Sequence, residues 1–332
     1  MINNLISKIK EHGISDTYRI ACNVLRKRIQ FIRNFGYSWT RKLNRAEKEG
    51  LEDYIDCLTD FMSGFLAEDK VRDEAIVQNQ SSNSRIVWSM WWQGVDNMPE
   101  MNKICYESHK KYVIDQGLTY VMITRDNYKQ YVELPGFIEE KVEKGIVSFT
   151  HLSDWLRCAL LEQYGGVWLD ITIMLTSPFP KEIFNYPFYS FNMKDTGNKL
   201  DFLGQTLFQG NISGFFLCFS APHNPLIAFV RDALTKYWSR YNVPVNYFIM
   251  LLSFRVAYLK SNYVKQLFDN IPVNNVQLYF LLHNMNERFD ENDWKTITSD
   301  TIFFKTTHKR KYYREKESAK TFYGYLCDLY KL

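Results

Sequence analysis

The sequence of 332 residues has no uninterrupted apolar run of the roughly 18 residues that a membrane-spanning helix needs. Its best stretch, Tyr247 to Leu259, is too short and is broken by Arg255. The first thirty residues carry charges throughout and no apolar core, so a secretory leader is not expected and the cytosol is the expected compartment. Paired cysteines are also lacking. Cys22, Cys57, Cys105, Cys158, Cys218 and Cys327 are scattered, with no CxxC and no Cys/His spacing suited to zinc, so reduced and mostly buried thiols are expected. There is no internal repeat and no low-complexity tract. With 46% hydrophobic and 23% charged residues, the chain is neither disordered nor collagen-like.

Aromatic residues are plentiful: 24 Phe, 22 Tyr and 8 Trp describe a chain built to bury flat rings or to bind them. Charge is unevenly spread. Residues 1–50 carry a balance of +7 and residues 305–332 a balance of +5, which leaves −8 for the middle. In the basic head, Arg19, Arg26, Lys27, Arg28, Arg33, Arg41, Lys42 and Arg45 are interleaved with Ile20, Val24, Leu25, Ile29, Phe31, Ile32, Phe35, Tyr37 and Trp39. That pattern suits an amphipathic segment lying on an anionic membrane surface, or a solvated basic helix packed on its own domain. Nucleic acid is not an expected partner, because no recognition motif accompanies the charge.

Residues 1–80 read as a helical region, with Tyr54, Ile55, Leu58, Phe61, Met62 and Phe65 near helical period. The polar break from Gln78 to Ser84 places the start of the main domain near residue 81, running to 332. Arg85 to Met90 predicts a first strand, followed by a Trp91-Trp92-Gln93-Gly94 loop and a helix opened by Met98-Pro99. Leu118 to Thr124 predicts a second strand. Strand, helix and strand at this spacing predict a parallel α/β unit. Two apolar-periodic helices follow, and then a strand over Val167 to Leu175. Residues 223–290 predict a further helical region.

The segment 150–175, THLSDWLRCALLEQYGGVWLDITIML, concentrates the chemistry. Thr150 is placed to cap a helix and Gly165 to end it. Leu152, Leu156, Ala159 and Leu160 form one buried stripe, with Asp154 and Arg157 three apart on a face away from it. In the strand, alternation sets Val167, Leu169, Ile171 and Ile173 against Trp168, Asp170 and Thr172. A carboxylate in such a strand fits its emergence into a cleft at the carboxyl end of a sheet. One strand-end carboxylate beside a helix-borne Asp and Arg suits a site for a divalent cation and a diphosphate. The spacing equally suits a structural Asp154–Arg157 pair with Asp170 capping a turn.

Ser153-Asp154-x-x-Arg157, Leu161, and Gly165-Gly166-x-Trp168-x-Asp170-x-Thr172 resemble the signature of the DXD-type sugar transferases of glycosyltransferase family 32. That family includes bacterial capsular polysaccharide synthesis transferases and is more distantly similar to the glucosylating bacterial toxins. The resemblance spans about 85 to 310. It takes in Trp88, the Trp92-Gln93-Gly94 loop, Leu134-Pro135, Tyr237-Trp238 and Lys305-Thr306. It implies an α/β fold of the GT-A type, Rossmann-like, with helical additions at both ends. It also implies a retaining, metal-dependent transferase that moves galactose or glucose from a UDP-sugar donor.

The implied acceptor is a lipid-linked saccharide, such as an undecaprenyl-diphosphate-linked intermediate of capsule or exopolysaccharide, at the inner face of the cell membrane. Carried over by residue, Trp88 would stack on the base with Gln93 nearby. Asp154 and Arg157 would bind the donor sugar, Arg157 also reaching the leaving phosphate, while Trp168 would flank the donor. Asp170 would hold Mn²⁺ or Mg²⁺ and the ribose. Thr172 replaces the second carboxylate of the signature and is a poor metal ligand, which brings His308 forward as a second ligand and Lys309 as a diphosphate contact. Asn246 departs from the Asp expected before Tyr-Phe. The alternatives are a transferase that glycosylates protein, and an inactive transferase fold serving as a peripheral membrane or nucleic-acid-binding module.

Overall fold

A computed structural model describes residues 45–72, 85–193 and 212–332. The basic stretch before residue 45 and the polar break at 78–84 lie outside the described residues. The chain opens on α1 (Arg45–Phe65), whose Ile55, Leu58 and Met62 recur at helical spacing and are buried. This helix packs on α6 (Ile249–Lys260) and shares the main core, so the helical segment belongs to the same hydrophobic body as the sheet.

The expected α/β unit is present. β1 (Ile86–Met90) runs into α2 (Glu100–Ile114) and then β2 (Thr119–Ile123), which pairs parallel with β1. Next come α3 (Gly136–Glu143), α4 (Phe149–Tyr164) and β3 (Gly166–Leu169), the last parallel to β1 on its other side. β4 (Ile173–Leu175) lies in a second, small sheet. β5 (Phe188–Ser190) and β6 (Phe216–Phe219) complete the first sheet in the order β2-β1-β3-β6-β5, with β6 antiparallel to both of its neighbours. The later helices are α5 (Pro225–Arg240), α6, α7 (Asn262–Asp269), α8 (Phe280–Asn284) and α9 (Glu291–Thr298). β7 (Phe303–Lys305) pairs antiparallel with β4, a short β8–β9 hairpin (Glu315–Lys316, Ala319–Lys320) follows, and α10 (Phe322–Tyr330) closes the chain.

The strand expected over 167–175 is two strands in two sheets. The chain turns at Asp170–Thr172, with Ile173 N donating to Asp170 O at 2.9 Å, and alternation across that turn has no meaning. The rings largely answer to burial. Phe191 stacks on Phe216 at 4.4 Å and Phe216 meets Phe303 at 4.9 Å, which ties the five-stranded sheet to the small one. A second core gathers Met101, Ile104 and Cys105 of α2 with Met174, Phe304 and Leu326. No disulfide links the described cysteines, and no described helix is long and apolar enough to cross a membrane.

Gly165 joins α4 to β3 at φ +66, in the left-handed region. A Cβ there would lie 2.8 Å from the Ala221 carbonyl carbon and 3.0 Å from Phe219 O. Strain and overlap add, so Gly165→Ala is expected to cost about 2–4 kcal/mol in urea unfolding. A loss within the few tenths typical of a surface change would show that this junction relaxes freely.

Candidate active site

α4 is capped by Ser148, whose hydroxyl accepts from His151 N, two residues ahead of the expected Thr150. It ends at Gly165 as expected. Leu152, Leu156, Ala159 and Leu160 are buried as the stripe predicts. Asp154 and Arg157 are not on a solvent face, however. They are only 8% and 4% exposed, because α4 is covered by α5 as well as by the sheet.

Arg157 is therefore a buried cation, and each of its three guanidinium nitrogens is engaged. Its Nε donates to Ser153 O at 3.2 Å and its Nη2 to Ser153 Oγ at 2.9 Å and to Asp154 Oδ1 at 3.1 Å. Nη1 donates to Gly214 O, and the guanidinium lies 4.9 Å from the Trp168 ring. One planar fork thus fixes α4, β3 and the approach to β6 together, geometry that lysine cannot reproduce. Arg157 serves as a tether more than as an arm reaching for a phosphate. Burial pushes the Asp154 carboxyl up to about 6, opposed by Arg157 and assisted by Asp170.

Asp170 follows directly on β3. Its Oδ1 accepts from Thr172 N and from Thr172 Oγ1, both at 3.1 Å, a side chain closing its own turn. The structural reading of Asp170 as a turn cap is thus realised. The residue is also half-open, as are Thr172, Lys305 and His308. Burial disfavours the Asp170 carboxylate, but Lys305, Arg157 and the bonds from Thr172 outweigh it and hold its pKa below the usual range. Lys305, at the end of β7, donates its ammonium to Thr172 Oγ1, and Thr306 donates N and Oγ1 to Thr172 O at 2.8 and 3.0 Å.

The same end of the sheet carries Trp91, immediately after β1. Its ring meets His308 edge-on at 5.6 Å. Trp91 Nε1, Trp168 Nε1 and His308 Nδ1 are buried polar atoms with no hydrogen-bond partner among the described residues. Burial and Lys309 lower the His308 pKa against the pull of Asp170. β1 has β2 on one side and β3 on the other, so chain direction across the sheet reverses between β1 and β3. A crevice for ligand forms at the carboxyl ends of strands at such a point, and Asp170 and Trp91 emerge there. Tyr247 stands near the same charges: partial burial and then Asp154 raise its phenol.

The structure therefore brings together Asp154, Arg157, Trp168, Asp170, Thr172 and His308. Trp88 is not available as a stacking platform. It is 1% exposed, donates Nε1 to Gly165 O at 3.1 Å, and packs on Tyr131 and Tyr164, each at 5.4 Å. Trp168 is also 1% exposed, so it backs the site through Arg157. Gln93 is exposed in the loop after β1, where its carbonyl accepts from Asn97, and Lys309 is exposed beyond β7. Sequence reasoning gave no role to Lys305 or to Trp91. The first is recognisable only through the pairing of Ile173 with Lys305, a register between distant segments.

The expected divalent cation meets a donor set that does not suit it. At the position of a second carboxylate, the Thr172 hydroxyl donates to Asp170 and accepts from an ammonium, so a metal bound to this side of Asp170 would face a fixed positive charge. Among the described residues, no three or more His, Cys, Asp or Glu side chains converge on a common point.

Fold and site together define a mixed α/β protein with a cluster of charged side chains at the switch point of its sheet. The family model described as capsular polysaccharide synthesis protein matches residues 39–326, and the chain belongs to that family. A curated relative, the O-glycosyltransferase PaGT of Phomopsis amygdali, is 24% identical over 144 residues, covering 37% of this chain and 36% of that protein. The chain thus matches about a third of that relative's length. No solved structure matches.

Asp154 binds its proton more readily in the folded chain, at about 6 against an ordinary 3.8. Folding takes up a proton between those values, so this contribution to stability is complete below 3.8 and is lost as pH rises through about 6. His109, buried between Ile173 O and Tyr120 and lowered to about 4, contributes the opposite slope, stability being lost as pH falls. Asp154→Asn removes only the first. The stability of wild type relative to Asp154→Asn is expected to fall by about 2–3 kcal/mol between pH 4 and pH 7 in urea titrations. A difference that stays flat with pH would mean that Asp154 is ionised throughout.

Proposed function

We propose that this chain is a glycosyltransferase of capsular polysaccharide assembly that moves a hexose from a nucleoside-diphosphate sugar, UDP-galactose or UDP-glucose, to a saccharide acceptor. The observation that carries the reading is the half-open carboxylate Asp170, set at the sheet's switch point against Lys305 and backed by the buried Asp154–Arg157 pair. Membership of the capsular family and the glycosyltransferase relative support it. The order of the first three strands and the place of Asp170 agree with a GT-A arrangement and with the DXD-type branch of family 32. In that arrangement the donor lies across the carboxyl ends of β1 and β3.

In this reading, Asp170 orients the ribose or sugar hydroxyls and Arg157 keeps Asp154 and β3 in register. Fixed cations stabilise the charge that grows on the diphosphate as the glycosidic bond breaks, a preorganised electrostatic contribution. Retention of configuration by a front-face route needs no protein base. The acceptor is a lipid-diphosphate-linked saccharide, which suits a basic chain terminus near an anionic leaflet.

Products from a panel of UDP-sugars and a synthetic lipid-diphosphate monosaccharide, read by mass spectrometry, test the assignment. Transfer of one hexose is expected, and absence of both transfer and donor hydrolysis across the panel would overturn it. In Asp170→Asn, the amide oxygen can still close the turn to Thr172. Stability should therefore fall by only about 1–2 kcal/mol while transfer falls by about a hundredfold or more. Retained transfer would return Asp170 to a purely structural role.

Attachment to the leaflet is assigned to the head, residues 1–50, of which only Arg45 onward is described. Each Lys or Arg near an anionic surface contributes about 1 kcal/mol, screened by salt. Cosedimentation with anionic vesicles is expected at low salt, and to be lost when the head is deleted. Equal binding to neutral vesicles would sink the electrostatic account.

A further inference from the structure

We propose that His109, buried on α2, is the positioning residue that sets the Asp170 carboxylate for transfer. This rests on the transferase reading above. The motive is the way the turn after β3 is held, since each backbone carbonyl from Leu169 to Ile173 has a partner. Ser89 Oγ of β1 donates to Leu169 O, and Ile173 N donates to Asp170 O at 2.9 Å. Asn102 Nδ2 of α2 donates to Ile171 O at 3.2 Å, Thr306 to Thr172 O, and His109 Nε2 to Ile173 O at 2.6 Å. Ser89, Asn102 and His109 are each at most 1% exposed. Polar side chains are seldom buried so completely, and these spend their donors on one turn.

The geometry of β4 explains why a helix supplies these donors. Thr306 N donates to Thr172 O at 2.8 Å and Thr176 N to Ile302 O at 3.1 Å, so the even-numbered positions bond toward β7. Alternation turns the polar groups of Ile173 and Leu175 to the opposite edge, where no strand lies among the described residues. Side chains of α2 stand in for that strand: His109 on Ile173 O, and Ser108 Oγ accepting from Leu175 N at 3.1 Å. The imidazole is fixed at its other nitrogen too. A carbonyl only accepts, so Nε2 carries the proton and Nδ1 is an acceptor. Ser89 has spent its proton on Leu169 O, which leaves the Tyr120 hydroxyl, at 2.9 Å, as the donor to Nδ1. Burial keeps the ring neutral. One ring thus ties β2 and α2 to the turn that carries Asp170. Ile173 N closes that turn on Asp170 O and Thr172 N aims the carboxylate, so releasing Ile173 O lets both hydrogen bonds drift.

The test is steady-state transfer by the full chain from the UDP-sugar that wild type uses, with thermal melting of each variant. His109→Phe keeps a buried ring but loses the bond to Ile173 O, and is expected to lower kcat about tenfold or more in folded protein. His109→Gln, whose amide can donate to the same carbonyl, should recover most of that loss. Val113→Ala, on the same helix and in the main core, loosens packing without touching the turn and should keep kcat within about twofold. A double-mutant cycle isolates the route of the effect. Because His109 acts through Asp170, adding His109→Phe to Asp170→Asn should slow transfer by no more than about a further twofold. Should His109→Phe fail to fold, Tyr120→Phe serves in its place: it frees the tautomer and should lower kcat about threefold or more. Four results would each overturn the role of His109 and leave the transferase reading standing. They are unchanged kcat in folded His109→Phe or in Tyr120→Phe, no recovery in His109→Gln, an equal loss in Val113→Ala, and the full loss repeated on top of Asp170→Asn. Failure of folded wild type to transfer or hydrolyse any donor of the panel would overturn both.

Discussion

A carboxylate that hydrogen-bonds its own backbone ends β3, and much of the site follows from that turn. Asp170 draws Thr172 N and Oγ1 onto one oxygen, so the chain cannot continue straight and passes into the small sheet as β4. β4 then selects β7 as its partner, and that pairing delivers Lys305 and Thr306 to the turn from more than a hundred residues away. The hydroxyl of Thr172 is the pivot. It is both donor to the carboxylate and acceptor from the ammonium, whereas a valine of the same shape would leave both charges without their bridge.

Behind the turn, a buried charge is held by partners on every one of its nitrogens. An isolated guanidinium in a protein interior is costly, and the cost is met only when its donors are used and a counter-charge is close. Arg157 meets both conditions through Ser153, Asp154, Gly214 and the face of Trp168. The pairing is asymmetric, however. Asp154 is pushed to about 6 despite its partner, because water is excluded and, to a lesser extent, Asp170 repels it. The interior pair acts as a rigid back wall whose charge responds to pH, while the half-open ridge of Asp170, Thr172 and Lys305 faces the solvent.

Local periodicity made much of this legible. The β1–α2–β2 unit, the stripe on α4, the ending at Gly165 and the helical stretch beyond residue 223 were readable because neighbouring residues determine them. The misreadings share a cause. Asp154 and Arg157 looked solvent-facing since a helix of one stripe usually is, and only the packing of α5 across α4 buries them. Val167 to Leu175 alternates perfectly as a strand, and nothing in that alternation announces that a side chain will close a turn inside it. The family resemblance implied Trp88 as a base platform, yet Tyr131 and Tyr164 enclose it. Lys305 had no local signal at all, because its meaning is its register with Ile173.

A fixed ammonium and a bound divalent ion solve the same electrostatic problem under different constraints. The ion brings two charges but must be captured, and its ligands must wait in an arrangement of mutually repelling oxygens. The ammonium brings one charge and is positioned when the chain folds, so its cost is met in folding rather than at each turnover. That shifts the burden onto structure. Thr306, Leu278 and the β4–β7 pairing hold the strand from which Lys305 projects, and Phe304 of the same strand is anchored in the core shared with α2 and α10. The C-terminal helix therefore belongs to the support of the strand that carries Lys305. Loosening that core would blur the position of the charge before it unfolded the sheet.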